Sequence, residues 1–222
     1  PIYGMIQRDG FIGGIYSQNG RYYCVPDSEN AKLAEALARI AKTQTLPSYV
    51  LNLVNSEDRV LHVGPGFSPE IVDLARKAKH VHAFDPSGAA VEVLTLMCRL
   101  NGCSNTKIEQ FAAYDHNAVA EFVINADPFA GMHELDDKAG ENVTDDVVEH
   151  ANCIRIDDHF GPGNLDVLIL SIGGHGDAAA LRGGEKTLSQ ARLAFLEFNH
   201  GYYGNRPDKL DELCAEIGRA HV

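Results

Sequence analysis

The chain has 222 residues, 45% apolar and 23% charged, the composition of an ordinary soluble globular protein long enough to bury one sizeable core. Its formal net charge is −12; phosphate recognition needs clustered Lys and Arg, so neither nucleic acid nor an anionic membrane surface is expected as a partner. No apolar run is long enough to span a bilayer, no signal-peptide pattern opens the sequence, and the five cysteines form no C-x-x-C pair, so reduced thiols in a cytoplasmic protein are expected.

Residues 11–25 read as a hairpin about Asn19-Gly20, a strong two-residue turn signal. A helix is predicted over 29–42, with Leu33, Leu37 and Ile40 as its core stripe, and a shorter one over 47–54. Residues 1–54 are therefore expected to form a hairpin-and-helix cover, or a substrate-side wall, for a main domain over 55–222.

That domain opens with Val60-Leu61-His62-Val63, an apolar strand, followed by the turn Gly64-Pro65-Gly66-Phe67-Ser68. A helix over 69–78 comes next, then a strand over 80–84 ending in Asp85-Pro86. Strand, glycine turn, helix, strand and acid is the grammar of a nucleotide-binding βαβ unit. Gly64 and Gly66 allow close approach of the backbone to a ligand, Ser68 is placed to cap the helix, and Asp85 is placed to accept from ribose hydroxyls.

A largely buried helix is predicted over 88–100 with Asn101-Gly102 as its cap, a third strand over 107–112, a turn over 113–116, and a fourth, antiparallel strand over 119–124. Residues 127–150 carry eight acids against the single Lys138, and a segment so long and aperiodic reads as a mobile acidic lid or a solvated loop. A strand over 153–156 leads to Asp157-Asp158-His159. Residues 165–172 (LDVLILSI) form an almost continuous apolar run, the mark of a central parallel strand buried on both faces. Short helices over 177–181 and 185–191, a strand over 194–198 and a final helix over 208–219 complete the chain. Alternating strands and helices predict an α/β fold with a mostly parallel sheet and helices on both faces. In such sheets ligands bind at the carboxyl ends of the strands, where His62–Gly64, Asp85, Ala113, Gly173–His175 and Asn199-His200 all fall.

With these residues in place, the chain resembles the FkbM family of S-adenosylmethionine-dependent methyltransferases over 60–200. The first strand and glycine turn resemble the family's V-D-I-G-A-N-x-G, and Ala83-Phe84-Asp85-Pro86 its A-F-E-P. Leu100-Asn101, Ala112-Ala113 with Asp115, Ile156-Asp157-Asp158, the stretch 181–188 and Leu196-Glu197 resemble five further landmarks, in order. The resemblance implies a Rossmann-like methyltransferase fold that binds S-adenosylmethionine and O-methylates a hydroxyl on a sugar or other small metabolite. By the same implication Gly64 and Gly66, with His62 and Ser68 in their motif, approach the methionine part of the cofactor. Asp85, followed by Pro86, holds the ribose, and Ala113-Tyr114 borders the adenine.

The chain departs from the family at His62, where the family has an acid, at Ser68, where it has a glycine, and at Ser171-Ile172-Gly173-Gly174, where it has D-V-E-G. Ser171 thus stands at a cofactor position without a carboxylate, and Asp177 is the nearest acid that follows. His175 and His200, both leaving strands into the crevice, are the candidate bases, since His titrates near neutral pH. A non-catalytic module on the same fold is the alternative. A metal centre made by His62, His175, His200 and Asp177 lacks a recognised ligand spacing and is not expected. An NAD-linked oxidoreductase fits the opening unit but not the segments after Leu165.

Overall fold

The structure is a computed structural model that describes residues 3–8, 11–18, 21–26, 48–124, 132–134, 147–174 and 176–220. Strands β1 (Tyr3–Arg8), β2 (Phe11–Gln18) and β3 (Arg21–Pro26) form an antiparallel sheet in that order, with Gln18 opposite Arg21. The predicted hairpin is thus present and gains β1, which carries no sequence signal of its own. Its turn residues and the helix predicted over 29–42 lie outside the described residues. Helix α1 (Ser48–Leu53) matches the shorter prediction.

The main domain runs β4 (Arg59–Val63), α2 (Glu70–Lys77), β5 (His80–Phe84), α3 (Gly88–Leu100) and β6 (Thr106–Glu109). A second sheet uses β7 (Phe111–Ala113), β8 (Ala118–Ile124), β9 (Met132–Glu134) and β10 (Val147–Ile154). The chain then continues through α4 (Ile156–His159), β11 (Val167–Leu170), α5 (Asp177–Gly183), α6 (Glu185–Leu188), β12 (Leu193–Leu196), α7 (His200–Gly204) and α8 (Pro207–Ala220). The central sheet has the order β12-β11-β4-β5-β6, with every pair parallel. In chain order that is 5-4-1-2-3, the doubly wound arrangement of a Rossmann-like methyltransferase fold, with the direction of winding reversing between β4 and β11.

Strand side chains alternate between two faces, and the alternation divides the core. Val60, Val81, Ala83, Val167 and Ile169 pack with Ile71, Leu74, Leu94 and Met97 of α2 and α3. Leu61, Val63, Phe84, Leu168 and Leu170 face the other way, onto Ile156, Ala180, Leu181 and Leu188 of α4, α5 and α6. Burial of both faces is why β11 reads as one apolar run rather than as an alternation. The N-terminal sheet docks on the α2–α3 layer: Tyr22 exchanges backbone bonds with the Asn101 side chain, and Arg21 pairs with Asp73 at 2.8 Å. Asn101 caps the end of α3 remote from Asp85, so these contacts brace the helices.

Several expectations are corrected. The third strand is two strands in two sheets, because the chain leaves β5 after Glu109 and, one residue later, pairs with β10 in parallel. The fourth strand is antiparallel as expected, but its partner is β10 in the second sheet. The acidic stretch is not all loop: Met132–Glu134 pairs with β8, and residues 147–150 begin β10; the rest of it lies outside the described residues. Asp157 and Asp158 sit in α4, where Asp157 accepts from the Thr187 amide at 2.8 Å and ties α4 to α6. Ser68 does not cap α2; Pro69 occupies the cap position, and the Ser68 hydroxyl bonds the Glu70 carboxylate instead.

Candidate functional site

The reversal between β4 and β11 opens a crevice beyond the carboxyl ends of the strands. Gly64, at φ +71°, leaves β4 so close to its neighbour that an added Cβ would lie 3.0 Å from the Ser171 carbonyl oxygen. Two residues on, Gly66 also has a left-handed backbone (φ +57°), but an added Cβ there would meet nothing within 4 Å. The first glycine is required by packing, and the second faces open space.

Asp85 closes this turn. Its Oδ2 accepts from the Gly66 amide at 2.8 Å and its Oδ1 from the Ser87 amide at 3.0 Å. The side chain is 5% exposed, and burial pushes its pKa up to about 6. The two amides oppose that rise, and Glu149 adds to it. Glu149, on β10, accepts from the Gly88 amide at 2.8 Å, at the positive end of α3. It is a site residue that the sequence reading missed, because nothing local marks one acid of the 127–150 stretch as the one that reaches the crevice. Pro86 contributes its carbonyl, which accepts from the Gln110 side chain at 3.1 Å.

On the other side of Gly64, His62 is 1% exposed, and burial lowers its pKa to about 3, so the imidazole is neutral. Its Nε2 lies 3.1 Å from Ser171 Oγ, while its Nδ1 is buried with no hydrogen-bond partner. Ser171 also bonds the Glu197 carboxyl, whose pKa burial raises and this bond lowers. The tips of β4, β11 and β12 thus carry a hydrogen-bonded chain, His62–Ser171–Glu197.

The loop after β11 is set by Asp177 and Tyr203. Asp177 is 1% exposed, and burial raises its carboxyl to about 6, opposed by the Tyr203 hydroxyl and then by the Gly174 and Gly173 amides. Tyr203 donates to Asp177 Oδ2 at 2.6 Å, while Oδ1 has no hydrogen-bond partner. Tyr203 stacks at 5.0 Å on Phe198, which is 51% exposed, and Gly174 lies flat on Tyr202, where an added Cβ would come within 2.9 Å of the ring. His200 is exposed at the start of α7, a helix that Asn199 caps by accepting from the Tyr202 amide at 3.1 Å. His175 lies outside the described residues. Ala113 is buried, and Tyr114 donates its amide to Ile154 at 2.8 Å with its carbonyl pressed on Gly183. Arg182 fixes that turn by pairing with Asp115 at 3.0 Å and Glu212 at 2.7 Å.

The structure therefore brings His62, Gly64, Gly66, Asp85 and Ser171 together. Asp177 is close in the chain to the same strand ends but buried, and Ala113-Tyr114 is held by the second sheet and α5.

No known family profile matches the chain, and no curated protein matches it. Solved structures do. TYW2 from M. jannaschii in complex with AdoMet has a TM-score of 0.48 at 13% identity, over 97% of this chain and 76% of that one. An rRNA methylase from Streptococcus thermophilus has a TM-score of 0.45 at 14% identity, over 76% of this chain and 75% of that one. A complex of aTrm5 with tRNALeu has a TM-score of 0.31 at 20% identity, over 44% of this chain and 28% of that one. Likenesses this distant assign no activity to the chain. They do correct one expectation: with an rRNA methylase and a tRNA-bound protein among its structural neighbours, the exclusion of nucleic acid from net charge is withdrawn. Net charge is a sum over the whole chain, whereas recognition depends on the charges at one surface. No helix among the described residues is long and apolar enough to cross a membrane.

Proposed function

We propose that the chain is an S-adenosylmethionine-dependent methyltransferase that O-methylates a hydroxyl of a small metabolite, as the ordered FkbM-like landmarks imply. The observation that carries the cofactor reading is the space over Gly66, bounded by a buried acid at the end of the second strand. The residues present fit the cofactor at its ribose end. Each Asp85 oxygen already holds one backbone amide and retains a second lone pair for a hydroxyl. At the sulfonium end the fit rests on Ser171 and Glu197, since His62 is neutral.

The cofactor, when bound, supplies an electrophilic methyl group. The protein's part is to align the acceptor, exclude water and take up a proton. His200, exposed at the start of α7, and His175 are the candidate bases in this reading. Asp177 is too buried to meet a substrate and serves as a positioning residue that holds Tyr203 and the Gly173-Gly174 loop.

A second reading, a non-catalytic module, is favoured by the buried neutral His62 at the position of the family's acid. Calorimetric titration with S-adenosylmethionine and S-adenosylhomocysteine separates the two. Micromolar binding, lost in Gly66→Ala although that variant, strained at φ +57°, still melts cooperatively, supports the enzyme. Absence of binding at millimolar ligand refutes it.

A further inference from the structure

A second polar cluster lies beneath the crevice, at the β5–β6 edge of the central sheet. His82 on β5, Glu109 at the end of β6 and His159 at the end of α4 each offer one donor atom within 4.8 Å of the other two. Their placement follows from the topology. β5 and β6 are parallel with Phe84 opposite Glu109, so His82 and Glu109 point to the same face of the sheet, and α4 packs there. The His159 ring stands 6.0 Å from that of His82 and 5.0 Å from that of Phe84. Phe111 and Phe160 complete an apolar surround.

Inside that surround two donors have no hydrogen-bond partner: His82 Nδ1 and Glu109 Oε2, both buried. Buried polar atoms without partners are costly and uncommon. Lys107 pairs with the other oxygen of Glu109, Oε1, at 2.9 Å, so Oε2 is left facing His159 Nε2 at 3.5 Å.

We propose that His82, Glu109 and His159 form a divalent-cation site whose ion is Zn²⁺. Two imidazole nitrogens and one carboxylate oxygen suit Zn²⁺ and not Mg²⁺ or Ca²⁺, which take oxygen donors. A tetrahedral site with bonds of about 2.0 Å sets its donors roughly 3.3 Å apart. His159 Nε2 and Glu109 Oε2 stand 3.5 Å apart, near that spacing, and the His82 donor lies within 4.8 Å of both. Lys107 supports the carboxylate through its other oxygen. The ion pins α4 to the sheet. It also sits one backbone bond from Asp85, whose amide donates to the Glu109 carbonyl at 3.2 Å. The site stands or falls independently of the methyltransferase reading.

The test is titration of the chelator-treated, desalted full chain with zinc chloride, followed by calorimetry and thermal melting. One tight equivalent and a raised melting temperature are expected. His159→Ala and Glu109→Gln each weaken binding at least tenfold, whereas His150→Ala, at an exposed histidine, leaves it unchanged. Zinc uptake equal in the wild type and both site variants overturns the proposal, as does no uptake by the wild type. If a variant fails to fold, cobalt absorption of the wild type decides. Intense tetrahedral bands without a thiolate charge-transfer band support the site; a thiolate band places the ion on cysteine and overturns it.

Discussion

Asp85→Asn isolates the charge of a carboxylate that the fold both uses and buries. The side chain keeps its shape but can no longer ionise, and its amide cannot accept from both the Gly66 and Ser87 N–H groups. Losing one of those bonds costs about 1–3 kcal/mol at every pH. The charge adds a part that depends on pH. With the folded pKa raised from 3.8 to about 6, the native state binds more protons than the unfolded state in that window. Stability from this group is therefore full below the unfolded value and is lost as the pH rises through the folded one. A rise of that size corresponds to about 3 kcal/mol. Urea unfolding of both proteins between about pH 4 and about pH 7 should show the wild type's advantage over Asp85→Asn shrinking by about 2 kcal/mol, most of that total. Asp177 titrates in the same window but is present in both proteins and cancels. A difference that stays constant, or that widens as the pH rises, refutes the assignment of the raised pKa to burial of this carboxylate.

His62→Leu should act with the opposite sign: the native imidazole stays neutral to about pH 3 while the unfolded one protonates below 6.5. The wild type should therefore lose about 3 kcal/mol more than the variant between about pH 7 and about pH 4, read by the same unfolding series. Tyr203→Phe leaves Asp177, already short of a partner at Oδ1, without its hydroxyl donor; a loss of about 1–3 kcal/mol at pH 7 that shrinks toward about pH 5 is expected in thermal melts. In Gly183→Ala the new methyl would lie 1.9 Å from the Tyr114 carbonyl oxygen, so α5 must lift; a loss of about 3 kcal/mol in urea unfolding is expected, and a neutral result would refute that close packing.

What could be read from the sequence was local. β4, the glycine turn, α2 and β5 were legible because each depends on spacing within a few residues, and α3 matched its predicted limits for the same reason. β11 was legible from composition, since burial on both faces leaves only apolar residues. The switch at Gln110 was not, because leaving one sheet for another depends on where β10 lies, and that partner is far away in the chain. Ser68 was misassigned as a cap because Glu70, two residues on, competes for its hydroxyl. In the site, Asp85 was found from its place after β5, but its two amide partners were not. Neither were Glu149, Tyr203 and the neutrality of His62, all of which arise from folding rather than from spacing. The helix at His200–Gly204 also escaped prediction, being a single capped turn.

The excursion through the second sheet begins and ends at adjoining residues. Ala113 lies opposite Ile154 in register, and the Tyr114 amide bonds the Ile154 carbonyl at 2.8 Å. Everything between departs from one doorway and returns through it, so the stretch can be lengthened, trimmed or exchanged without moving the strands that shape the crevice. Yet Glu149, carried on the returning strand, reaches the first amide of α3 beside Asp85. Among the described residues, the module thus keeps a fixed tie, through Glu149, to the crevice side of the molecule while the sheet stays constant.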